Sequence, residues 1–268
     1  PGPAHDADGD EVEGSTRVLA LRLRAGDEVR VDDPLRDPGD GLEGDRILAE
    51  SPGGLGLLLW RIAGDVTLWG MAPRRERGRL FAGESAAARR ALRAAAELSG
   101  RVAGPVDSLL GLLAEPNRSD ADIVSLCCLE VAAWTRAAGL PHTAMAFAQA
   151  GAVAAPGSSE AALLVGICAR AGGQAARADT WLRRTIAVAR RERNWAAYSA
   201  ALMELGALQE GWGRMLRAEG LYRRAMRASG RYRARAERMR AAHALFRLAR
   251  RKGDYASAAK VAISAQRA

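Results

Sequence analysis

Three histidines, three cysteines and one glycine-rich run are the residues here whose types suit catalysis, and their spacing serves none of it. His5, His142 and His243 are far apart, and none has a cysteine, serine or carboxylate beside it in a nucleophile–base arrangement. Cys127, Cys128 and Cys168 are odd in number, two are adjacent, and no pair has the spacing of a zinc site. Each lies in an apolar helical pattern, which suits buried thiols in a reducing compartment. The run "SPGGLG" at 51–56 lacks the lysine and the serine or threonine that complete a phosphate-binding loop. The expectation is a chain that is not an enzyme and holds no metal or cofactor.

Arginine is the other residue type with chemical reach. Lys252 and Lys260 are the only lysines, so nearly all positive charge is carried by guanidinium, which pairs with carboxylate or phosphate through two parallel bonds. Residues 1–50 hold 14 acidic and 6 basic side chains, whereas residues 177–268 hold 22 basic and 7 acidic. "RRAMRASGRYRARAERMR" spreads arginine around two successive predicted helices. A nucleic-acid-associated regulator has such a charge balance, although few aromatics are present to stack on bases. Arginine and alanine at this level also follow from a GC-rich, bacterial genome.

The elements that would position these residues divide into three parts. Residues 1–50 are rich in Asp, Gly and Pro and form an acidic, poorly ordered arm, with "RVLALRLR" and "EVRV" giving a short strand or hairpin over 16–31. Residues 54–118 form an N-terminal helical region. Leu58, Leu59, Ile62, Val66 and Trp69 make one stripe, a short helix runs from Pro73 to Phe81, a third ends near Gly100, and a fourth spans Pro105 to Leu113. The six tryptophans fall mostly at positions expected to be buried or at helix junctions. No stretch is long and apolar enough for a membrane span. No basic, apolar leader follows Pro1, which gives a cytoplasmic expectation.

Residues 120–268 repeat. Leu205-Gly206 is followed by Gly213, Ala218, Tyr222 and Ala225, and the same spacing gives Val165-Gly166, Gly173, Ala178, Leu182 and Thr185. It recurs as Val131-Ala132, Gly139, Ala144, Ala148 and Gly151, and again as Leu245-Phe246, Gly253, Ala258, Ala262 and Ala265. In each unit a small residue lets the first helix (A) approach its partner, a glycine ends it in a tight turn, and an alanine on the second helix (B) sits at the crossing. The predicted pairs span 120–156, 159–192, 194–229 and 232–268.

This spacing, in steps of 34, 40 and 40 residues, resembles the tetratricopeptide repeat, a helix–turn–helix unit with a period of 34, in its longer variants of about 40 residues. The resemblance implies an all-α fold, a right-handed α-solenoid of antiparallel helix pairs, acting as a protein–protein interaction scaffold that takes a peptide in a concave groove lined by the A helices. Groove positions carried over from the family include Arg136, Arg170, Glu204, Glu210, Arg240, His243, Arg247 and Arg250. Leu129, Ala133 and Leu163 stand where family members that clamp a terminal carboxylate have asparagine and lysine, so the expected partner is an acidic segment rather than a chain end. Ala258, Val261, Ala262 and Ala265 on the last helix form an apolar strip with no polar capping helix after it. Self-association through that strip, as a closed dimer or an open stack, is the structural alternative.

Overall fold

The computed structural model describes residues 43–98, 100–231 and 235–266. Among these residues the chain is all-α, with thirteen helices and no strand. The strand or hairpin expected over 16–31 lies outside the described residues. The chain forms two compact units, Pro1–Pro156 and Gly157–Ala268.

In the first unit, α1 (Glu43–Glu50) occupies a stretch read as part of the arm. A single large apolar side chain, Ile47 at 1% exposure, anchors it. Its last residue does more. The Glu50 carboxylate accepts from the backbone N–H groups of His142 and Thr143, both at 2.8 Å, and from the Thr143 hydroxyl at 2.7 Å. It therefore satisfies donors that the first turn of a helix leaves unpaired, and places negative charge at the positive end of that helix dipole.

The predicted stripe on α2 (Gly54–Met71) is the core of this unit: Leu58, Leu59, Ile62, Val66 and Trp69 are all buried. The Trp69 indole donates to the Pro116 carbonyl at 2.8 Å, so its one polar atom is met. Helix α3 (Arg74–Phe81) follows, then α4 (Glu84–Ala95), which stops short of Gly100 as the backbone turns extended at Ala96. Helix α5 runs Gly100–Ala114 and starts earlier than its proline suggested. Pro105 lies inside it, with one backbone bond forgone. Helices α6 (Ala121–Ala137) and α7 (Pro141–Ala154) form the first hairpin of the repeat, and α7 packs on both α2 and α1.

The second unit contains α8 (Ser159–Ala171), α9 (Ala175–Glu192), α10 (Trp195–Gly211), α11 (Met215–Arg231), α12 (Arg235–Arg251) and α13 (Tyr255–Gln266). Each helix packs on the next in sequence, and α10 also touches α8 and α12. The A helices α8, α10 and α12 thus form a contiguous row, while α9 and α11 do not pack on each other to a like degree.

The four glycines that define the register share one geometry. Gly139, Gly173, Gly213 and Gly253 have φ between 72° and 80°, the left-handed region that costs other residues steric strain. After each glycine, the next N–H reaches back five residues: Leu140 to Thr135, Gln174 to Ala169, Arg214 to Gln209 and Asp254 to Ala249, at 2.8–3.0 Å. This is the Schellman closure of a helix end. It occurs at equivalent places in all four hairpins, so the repeat is structural.

The small-for-large exchange at the crossings is also present. A Cβ on Gly166 would come within 2.8 Å of the Leu182 side chain, and one on Gly206 would overlap the Tyr222 ring. Tyr222 fills space inside its own hairpin and towards the next, where it packs with Ala244, Leu245 and Leu248.

Candidate partner-binding face

The row of A helices in the second unit carries most of the predicted groove residues, and the structure pairs several of them with one another. Arg170 on α8 donates to Glu204 on α10 at 2.8 Å. Glu210 near the end of α10 accepts from Arg247 at 2.8 Å and from Arg251 at 2.6 Å, both on α12. The Tyr222 hydroxyl on α11 donates to the same carboxylate at 3.0 Å. Two expected contacts to a partner acid are therefore made to acids of the chain itself. At the other end of α8, the amide of Asn194 approaches Glu160 at 3.4 Å.

Glu210 is the most enclosed of these charges, with its side chain about 10% exposed. Burial pushes its pKa upward, but the Tyr222 hydroxyl and the Arg247 and Arg251 guanidiniums favour the carboxylate more strongly, and the net shift is downward. Burial, and then the bond to Glu210, raise the Tyr222 phenol, which stays a proton donor at all ordinary pH values.

The remaining predicted positions are dispersed. Arg136 is exposed on α6, in the first unit. Arg240 pairs with Glu237 one turn away on α12. His243 is exposed, and the Arg250 guanidinium lies 5.9 Å from the Phe246 ring centroid. Between the ion pairs, Leu163, Leu164 and Ile167 on α8 and Ala200, Met203 and Ala207 on α10 are half-buried.

The apolar strip expected on α13 is arranged differently. Ala258 is buried, at 3% exposure, and Val261 packs on the cluster built around Tyr222 and Leu245. Both belong to the inner side of the helix, because that is the side α12 covers. The side chains of Ala262 and Ala265 lie outside those described. Among the described residues, the large apolar side chains that α13 exposes are Tyr255 and Ile263.

The cysteines behave as apolar filler. Burial raises the Cys128 thiol far above its ordinary pKa, and burial followed by Glu130 raises Cys127, so neither is drawn towards the reactive thiolate. Among the described residues no group of three or more His, Cys, Asp or Glu side chains is placed to hold a metal ion. No helix among them is long and apolar enough to cross a membrane.

Arg251, the third partner of Glu210, escaped the sequence reading. It lies one residue beyond the predicted groove positions, and only the crossing of α10 with α12 brings it to the carboxylate. The Arg170–Glu204 and Glu160–Asn194 pairs each span 34 residues, six fewer than the 40 that separate equivalent positions of these two units, so the repeat register did not announce them. Comparison with protein-family models and with curated proteins found no match for this sequence.

Proposed function

We propose that the chain is a non-catalytic binding scaffold of the tetratricopeptide type, an α-solenoid that takes a peptide or protein segment along its A-helix face. The observation that carries this reading is the half-buried apolar row on α8 and α10, bracketed by the Glu160–Asn194 and Arg170–Glu204 pairs. The bracketing pairs hold the two helices in register, so the row is presented as a fixed surface. A partner gains by covering Leu163 and Ile167, whereas engaging Arg170 or Arg247 requires displacing Glu204 or Glu210. The partner expected on this basis contributes apolar side chains first and acidic ones at the edges, where Arg240 and Arg250 stand clear of Glu210.

The test is selection of peptides from a displayed random library against the intact chain, followed by titration of the enriched peptides. Replacing Leu163 and Ile167 together by serine should weaken binding at least tenfold while helix content by circular dichroism is kept. Failure to enrich any peptide, or enriched peptides that bind the double variant equally well, would sink the proposal.

A further inference from the structure

The opposite side of the second unit holds a cleft that the repeat reading does not use. It lies where α9 and α11 diverge over α10, and has a volume of about 510 Å³, within the range of roughly 300–1,000 Å³ typical of small-ligand sites. Leu205 and Leu221 line it, and Gly220 leaves part of its wall without a side chain.

Its charge is one-sided. On the α9 wall Arg183 is held in two bonds by Asp179, at 2.6 and 3.1 Å, and is neutralised there. On the α11 wall stand Arg217, Arg224 and Arg227. Spaced seven and then three residues apart, they share one side of the helix over about 15 Å of its length. Among the described residues Arg217 and Arg227 have no ion pair, and Arg224 donates only to the neutral Tyr198 hydroxyl at 3.1 Å. The one carboxylate on α11, Glu219, is engaged by Arg223 and Lys252.

Gln209 supplies a second, independent pointer. It lines the same cleft at 2% exposure. Its amide nitrogen faces Asp179 at 3.4 Å, which fixes the orientation, because a carboxylate accepts and cannot donate. Its carbonyl oxygen is buried and has no partner. Such a group is costly to leave unmet, and a ligand bearing a donor would satisfy it.

We propose that this cleft binds a nucleotide, with its phosphates on Arg217, Arg224 and Arg227, its base on the Leu205–Leu221 floor, and a base amino group donating to Gln209. Guanidiniums suit phosphate oxygens in bidentate geometry. The apolar floor suits a flat ring. An acidic peptide would also meet the Gln209 oxygen, through a backbone N–H, but it brings no flat ring to the Leu205–Leu221 floor. The same chemistry is offered by a free nucleotide and by single-stranded nucleic acid. The inference does not depend on the A-helix face or on what binds there.

Titration calorimetry of the full chain at about 0.15 M salt tests it, with three probes: adenosine triphosphate, a ten-residue oligodeoxyadenylate, and a decaglutamate peptide. Saturable binding of either adenine probe supports the proposal. Triphosphate binding alone marks a free nucleotide as the source, and oligonucleotide binding alone marks a nucleic acid. The Arg217→Gln/Arg227→Gln variant should weaken that binding at least tenfold. In the oligonucleotide arm it should also lower the salt dependence by about one per arginine removed. Arg75→Gln/Arg118→Gln, which removes the same charge from well-exposed positions, should change affinity less than twofold. Gln209→Leu should abolish the preference for adenosine triphosphate over purine riboside triphosphate, which lacks the amino group. Circular dichroism shows whether each variant is folded. Binding of decaglutamate only, no binding of any probe, equal loss in both double variants, or a base preference that survives Gln209→Leu each overturns the proposal.

Discussion

Glu210 concentrates the chemistry of the second unit in one side chain. It serves two arginines of α12 and the phenol of α11 at once, so removing its charge leaves two guanidiniums without their anion and one carbonyl oxygen where two carboxylate oxygens accepted. Arg247 and Arg251 are half exposed, and water replaces much of what they lose. Glu210→Gln should therefore cost only about 1–2 kcal/mol at pH 7. Because the folded-state pKa is depressed, the contribution is fully present above the ordinary value of 4.5 and disappears as pH falls through the lower folded value. Urea unfolding of both chains at pH 7 and again near pH 3 checks this. A difference that persists in acid would mean that packing, and not the carboxylate charge, is what the substitution removes. The sequence made Glu210 and Arg247 visible as members of one face. It gave no sign that they meet, since a pairing between α10 and α12 depends on how far one helix slides along the other.

Among the elements, the hairpins were the most legible part of the fold, for a local reason. A left-handed residue at a helix end asks for glycine whatever the rest of the chain does, so Gly139, Gly173, Gly213 and Gly253 declared their turns from sequence alone. The close crossing of α10 with α11 was legible for the same kind of reason, a missing side chain at Gly206 opposite a bulky Tyr222. Gly206→Ala should lower stability by about 1–3 kcal/mol, since the ring has to move and the better helix propensity of alanine offsets only part of the strain. Thermal unfolding of the variant measures it, and an unchanged or raised midpoint would show that the ring gives way without cost. Helix α1 was illegible because its eight residues, following an Asp-, Gly- and Pro-rich stretch, are too few for their apolar side to register as a period. Helix α9 ends at Glu192, where the predicted pair ends, although Arg193 takes the left-handed cap at φ 59° without being glycine.

For the molecule as a whole, composition pointed to helices and to an uneven charge, but not to where the basic residues gather. Arginines of the same helix, α11, serve different purposes. Arg223 is tied to Glu219, whereas Arg217 and Arg227 face the cleft. Spacing alone cannot sort them, because the acids that neutralise some and not others lie on other turns and other helices. The second unit has its own apolar clusters, around Tyr222 with Leu245 and around Leu202 with Ala241. Residues 157–268 expressed separately should therefore unfold in one cooperative transition, as followed by circular dichroism during heating. A gradual loss of signal without a midpoint would show that this core does not suffice. The grip of Glu50 on the start of α7 closes 92 residues of chain, whereas the bond between Glu210 and Arg251 in the second unit closes 41. Bringing distant chain segments together costs entropy before any contact repays it. The Glu50 clasp is therefore the costlier of the two closures, and it asks the first unit to gather more of its chain before it can form.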